Sequence, residues 1–158
     1  MSEHSSTLRI LVYLAAMVIL AFGITLNAET GLGVSPIVSV AFSISSASGL
    51  SFADMTFVFY CLFVIAEIAI HFALGRGKES LLKDILQLPL SLVFTRFMKL
   101  FQYLLPDIPS FSMPIRLALL AVAIAATGVG AAATLSMRIV PNPGDGIVQA
   151  LSDLSGKP

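Results

Sequence analysis

LALLAVAIAATGVGAAATLSMRIVPNPGDG, Leu117 to Gly146, runs uncharged from Leu117 to Met137 and then breaks into two prolines, two glycines and one acid, Asp145. The uncharged part is long enough to cross a bilayer, which takes about 20 residues. The break is not an ordinary loop sequence. Asn142-Pro143 places a helix-capping residue directly before a proline at the first helical position, and Asp145 falls at the third. This predicts a membrane span that ends and a short helix that begins at once.

Composition extends the membrane reading to the whole chain. Of its 158 residues 57% are hydrophobic and 11% charged, against roughly 25% charged in soluble domains. The net charge is zero, so there is no basic footprint for nucleic acid. The single cysteine, Cys61, excludes an internal disulfide and resembles no zinc site, which needs several close ligands. Neither a metal nor a cofactor is expected. No Gly-rich phosphate loop, pair of catalytic acids or Ser-His-Asp pattern occurs, so no catalytic residue is assigned and an enzyme is not expected.

Four long apolar segments stand out, at about Leu8–Leu26, Phe52–Leu74, Asp84–Leu105 and Ile115–Ile139. The first is too long for the apolar region of a signal peptide, which runs roughly 7–15 residues. Helices are expected because backbone in lipid must satisfy its own hydrogen bonds, and the alternation of a transmembrane barrel strand is missing. The loop GRGKESLLKD holds Arg76, Lys78 and Lys83, whereas PDIPSFSMP holds no Lys or Arg. The positive-inside rule then puts the first loop and the N-terminus in the cytoplasm. Arg116 is the one basic residue at the outer end of a span. Pro89 predicts a kink in the third span.

Displaced by 107 positions, the chain matches itself softly: Gly23 meets Gly130, Pro36 meets Pro143, and Ser45, Ser48 and Gly49 meet Ser152, Ser155 and Gly156. A displacement of 105 pairs Gly23 with Gly128 and Pro36 with Pro141 instead. Each unit has a long span, a polar break, an X-Pro step, a short helix and a glycine. Three spans separate the two starts, so the second unit enters from the opposite side, as in an inverted-topology repeat. Unit one covers about 8–105. Unit two starts at about 115 and stops at Pro158 before an equivalent of Phe52–Leu74. A further C-terminal segment or a second copy of the chain is expected to complete it. The expected architecture is an all-α, polytopic bundle forming a single membrane domain, with four long spans and two short broken or re-entrant helices.

Several residues are candidates for a substrate or ion path. On the first short helix Ser35, Ser39, Ser43 and Ser46 fall on one face; a small or polar stripe of that kind lines a cavity or packs on a neighbour. On the second, Asn142 begins the matching stripe, and Asp145 is a candidate cation or proton ligand near a broken helix. Gly33, Pro36, Pro143, Gly144 and Gly146 read as turn and cap positions. Glu67 and His71, four apart on one face, are rare inside a membrane, where such groups face the protein interior. Arg96, with Lys99 on its face, is the expected partner of Glu67, their depths differing by roughly 7 Å at 1.5 Å per residue. The bland alternatives are a structural ion pair for Glu67 and Arg96, a headgroup-level position for His71, a solvated loop for Glu29, and a third-position helix acid for Asp145. Small residues at Ala121, Ala125, Ala126 and Gly130 predict close helix packing.

NAETGLGVSPIVSVAFSISSASGLSFADMTFVFY resembles the first block of the YczE/YyaS/YitT-type bacterial membrane proteins. LLKDILQLPLSLVFTRFMKLFQYLLP is similar to their third span, and VPNPGDGIVQALSDLSGKP to their later P-G-(D/E)-G block. The resemblance covers most of residues 8–158. It implies a multi-pass protein of the bacterial inner membrane and suggests transport, with no substrate fixed. The alternative is a membrane scaffold or regulatory partner that moves nothing. Lipid is the expected surrounding, and a homo-oligomer one expected assembly. In a Cys61→Ser background, single cysteines at Arg76 and Ser110 are expected to react with a membrane-impermeant maleimide from opposite sides; labelling from the same side contradicts the inverted topology.

Overall fold

The computed structural model describes residues 3–156, with side chains from Thr7 onward. Six helices account for nearly all of it: α1 (Glu3–Glu29), α2 (Pro36–Ser48), α3 (Phe52–Ala73), α4 (Lys78–Leu104), α5 (Met113–Met137) and α6 (Pro143–Ser155). A 3₁₀ turn, Ile108–Ser110, precedes α5. The described residues contain no strand. Three stretches are long and apolar enough to cross a membrane: Thr7–Glu29, Phe52–Ala73 and Met113–Met137. α4 is as long, but Lys78, Glu79, Lys83, Asp84, Arg96 and Lys99 set it apart from those three.

The surface is the kind lipid solvates. Leu11, Leu62, Ile65, Val122, Ile124 and Val129 lie exposed, while Glu67, Asp84 and Gln87 are buried. A soluble domain buries its large apolar side chains and leaves unpaired charges in water.

α1 and α5 form the most extensive helix contact and run antiparallel. Arg9 Nη2 donates to Met137 O at 2.6 Å at one end, and Arg116 Nε donates to Thr30 O at 2.9 Å at the other. Between them the backbones nearly touch. A Cβ on Gly23 would stand 2.6 Å from Thr127 N, and one on Gly130 2.6 Å from Leu20 N. Between helices in lipid, attraction comes from close van der Waals packing rather than from water exclusion, so small residues make the seam. The seam on α5 includes the buried Ala123, Gly130 and Thr134, at helical spacing. Ala121 and Ala125 face outward instead, so of the small residues expected to pack, Gly130 does and these two do not.

α3 and α4 form a second antiparallel pair, with Tyr60 and Phe94 stacked at 6.0 Å. The turn between them is a Schellman closure. Arg76 N–H reaches His71 O at 2.9 Å, Gly75 N–H reaches Phe72 O at 3.1 Å, and Gly75 takes the left-handed φ of 64°. α4 therefore begins at Lys78, so much of the charged GRGKESLLKD segment is helix, not loop. The helix continues through Pro89. At the far end Gln102 Oε1 accepts from Ser51 Oγ and Ala53 N at 3.3 Å, and its Nε2 donates to Glu29 at 3.3 Å. Glu29 is thus the last residue of α1 with a tertiary partner, rather than a solvated loop residue.

The two short helices both pack on α3. α2 ends toward the start of α3, where Phe42 meets Phe52 edge-on at 5.5 Å. α6 ends toward the other terminus of α3, where Asp153 pairs with Arg76. Their N-termini abut: a Cβ on Gly144 would lie 2.7 Å from Ile37 Cγ2. Gly130→Val is expected to destabilise the fold by about 1–3 kcal/mol by forcing α1 and α5 apart. Gly128→Val, whose Cβ meets open space, is the tolerated control; thermal unfolding in detergent measures both.

Candidate functional site

The buried Ser and Thr side chains spend their hydroxyl protons locally. Thr25, Thr56, Ser91, Thr95 and Thr134 each donate to the carbonyl four residues earlier in their own helix. Buried Glu67, Asp84 and Gln87 have no such local solution and meet across the seam of α3 and α4. Gln87 Nε2 donates to Glu67 Oε2 at 2.6 Å. One turn along, His71 Nδ1 lies 2.7 Å from Asp84 Oδ2.

α6 closes the third side. A Cβ on Gly146 would fall 2.6 Å from Glu67 Oε2 and 2.7 Å from Oε1, so the carboxylate lies flat against the bare α-carbon. Glu67 is 1% exposed. Its Oε1 and the Oε1 of Gln87 are buried with no hydrogen-bond partner. From Glu67 a cavity of about 400 Å³ extends past His71, Thr134 and Gln149 to Arg76, Lys83 and Arg138. A smaller recess, lined by Tyr13, Tyr60, Gln87, Ser91 and Asn142, sits on the other side of Gln87.

The start of α6 is settled by Asn142. Its Oδ1 accepts from Gly144 N at 3.3 Å, and its carbonyl accepts from Asp145 N and Gly146 N at 2.8 Å. Pro143 has no N–H to satisfy. Asp145 falls at the third helical position as expected. Asn142 already takes these N–H groups, so Asp145 adds negative charge at the positive helix end rather than the cap itself. Ser35 holds the corresponding place before α2 but makes no side-chain cap bond.

Arg96 does not pair with Glu67. It lies 3.5 Å from Asp54, which Lys99 also reaches at 2.6 Å, on the half-exposed flank. The early start of α4 at Lys78 brings Gln87 opposite Glu67. Arg96 is nine residues farther along, about 14 Å at 1.5 Å per residue. The serine stripe lines neither cavity, though Ser35 and Ser39 are half-buried. Ser43 and Ser46 are exposed, Ser39 donates to Pro36 O at 2.7 Å, and Val38 and Ala41 face the core. His71 lines the cavity. Gly33 takes a φ of 133° in the break between α1 and α2.

Gln87, Asp84 and Arg138 are the residues that reading missed. A signal for two of them was present: Asp84, Gln87, Ser91 and Thr95 repeat at helical spacing and are all buried on one face of α4.

A family of unknown function, DUF6198, matches residues 7–158, and the chain belongs to it. No curated protein and no solved structure matches.

Gly146→Ala is expected to push Glu67 off Gln87 and lower stability by about 1–3 kcal/mol. Shortening the acid in the same background, Glu67→Ser, is expected to recover part of that loss. Thermal unfolding of both single variants and the double variant measures the coupling.

Proposed function

We propose that the protein is a multi-pass transporter or permease-like protein of the bacterial inner membrane, with α4 as a fourth span and α1–α2 and α5–α6 as the matching parts of an inverted repeat. One observation carries this reading. α2 and α6 each begin with a proline at the first helical position, meet near their starts at Ile37 and Gly144, with the start of α6 buried, and run toward opposite ends of α3. Next to that meeting point a cavity of about 400 Å³ reaches a buried acid. Broken helices beside a buried polar site are how secondary transporters build binding sites near the membrane midplane, and ionisable residues inside a membrane are costly enough to mark functional paths.

The topology expected from the positive charges fits this arrangement. Arg9, Arg76, Lys83 and Arg138 gather at the end where the cavity opens, which the positive-inside rule assigns to the cytoplasm together with the N-terminus. The YczE/YyaS/YitT resemblance supports the same class. The non-transporting scaffold has one observation in its favour: Arg96, Lys99 and Asp54 form a half-exposed polar cluster on the flank, which a neighbouring subunit would cover.

A thermal-shift screen of the full chain in detergent, over inorganic ions and small metabolites, tests the choice. Transport predicts a reproducible stabilisation that Arg138→Gln or Glu67→Gln removes. No shift across the panel, together with a stable oligomer that Arg96→Ala dissolves, favours the scaffold.

A further inference from the structure

We propose that Glu67 is a proton-binding site, holding its proton against Gln87 in the resting state and releasing it into the cavity. The proposal deepens the transport reading by naming the ion the site takes, but it rests on the geometry of the acid alone.

Glu67 is 1% exposed and belongs to none of the ion pairs among the described residues. A bare carboxylate there carries a charge that no ion pair compensates, which a low-dielectric interior disfavours strongly. The neighbouring charges do not supply the compensation. On its own helix, His71 is engaged by Asp84 of α4. Past the end of α3, Arg76 is held by Asp153 of α6. Lys83 of α4 and Arg138 beyond α5 line the same cavity but make no ion pair with Glu67. On α6 the nearest acid in sequence to Gly146 is Asp145, which supplies the negative charge that the helix end favours. None of the early N–H groups of α6 is left for Glu67, because Asn142 accepts from Gly144, Asp145 and Gly146. On the far side, the phenols of Tyr13 and Tyr60 line the recess beyond Gln87.

A proton answers this environment better than a metal cation. Two unpartnered oxygens, Glu67 Oε1 and Gln87 Oε1, are available, whereas hard cations take six or more oxygen ligands. No group of three or more His, Cys, Asp or Glu that could hold a metal occurs among the described residues. Glu67 Oε2 and the Gln87 amide are already in hydrogen-bond contact, at 2.6 Å. With the amide turned over, a neutral Glu67 donates its O–H to the Gln87 carbonyl oxygen, and the buried charge is gone. The cavity, which includes Glu67 among its walls, gives the proton a route toward one end of the bundle.

Dicyclohexylcarbodiimide, which attacks buried protonated carboxyls, tests this on the full chain in detergent, with peptide mass spectrometry locating the adduct. Labelling at Glu67 is expected, falling about tenfold per pH unit once the site titrates and unchanged when choline chloride is replaced by sodium chloride. Suppression by sodium overturns the proposal in favour of a cation site. Thermal unfolding of Glu67→Gln, which mimics the neutral acid, gives an independent reading. The variant is expected to match the parent only in acid below the unperturbed Glu value of about 4.3, and to gain on it as pH rises above that until the folded site titrates, because the unfolded parent ionises freely while the buried acid does not. A variant less stable than the parent by the same amount at every pH, with Glu67 unlabelled, overturns the proposal. Neither readout requires transport, so a failed substrate screen leaves them intact.

Discussion

The start of α6 lies inside the bundle, where its first backbone groups have no water to turn to, and much of the structure serves to cover them. Asn142 closes the N–H side with its side chain and its carbonyl. On the approach, Tyr13 donates to Val140 O at 3.0 Å from α1. The exit from α5 is bent by Arg138, a non-glycine residue at φ 49°, in the left-handed region that L residues seldom adopt. Arg9 then donates to the exposed carbonyl of Met137 and places positive charge at the C-terminal end of α5. These contacts need α1 within reach of the α5–α6 link, and the close backbone approach at Gly23 and Gly130 puts it there.

The elements of this fold were legible in the sequence to the degree that each depends on one segment alone. The apolar runs gave α1, α3 and α5, and the Asn142-Pro143 step gave the start of α6. What depended on two segments was read less well. The partner of Glu67 follows from where α4 begins, and that is decided by a closure in which Gly75 lets the chain reverse within a few residues. Starting the helix at Asp84 points to Arg96; starting it at Lys78 gives Gln87.

The exposure of Ser43 and Ser46 in the stripe on α2 has a different reason. In water a polar face and an apolar face specify outside and inside. In lipid the distinction is weak, because the surroundings are as apolar as the core. A serine that bonds a carbonyl of its own helix can face lipid at little cost. Ser39 does so to Pro36 O at 2.7 Å, and Ser48 to Ile44 O at 2.6 Å. Polar character points inward here only among side chains that cannot satisfy themselves within one helix, and not for all of those, since Arg96 and Lys99 meet Asp54 on the flank. Glu67, Gln87 and Asp84 meet that condition, and all three are buried.

The glycines of PNPGDG join these threads. Gly144 lets the tip of α6 abut Ile37 of α2, and Gly146 lets the same tip lie against the Glu67 carboxylate. A side chain at either place would drive α6 outward, away from one neighbour or the other. The position of the short helix α6 and the surroundings of the buried acid are therefore one constraint. Any change in the charge or hydrogen bonding of Glu67 acts on the surface against which α6 is seated, and any movement of α6 alters the dryness of Glu67. That coupling is local, needs no intervening chain of contacts, and follows from two missing methyl groups.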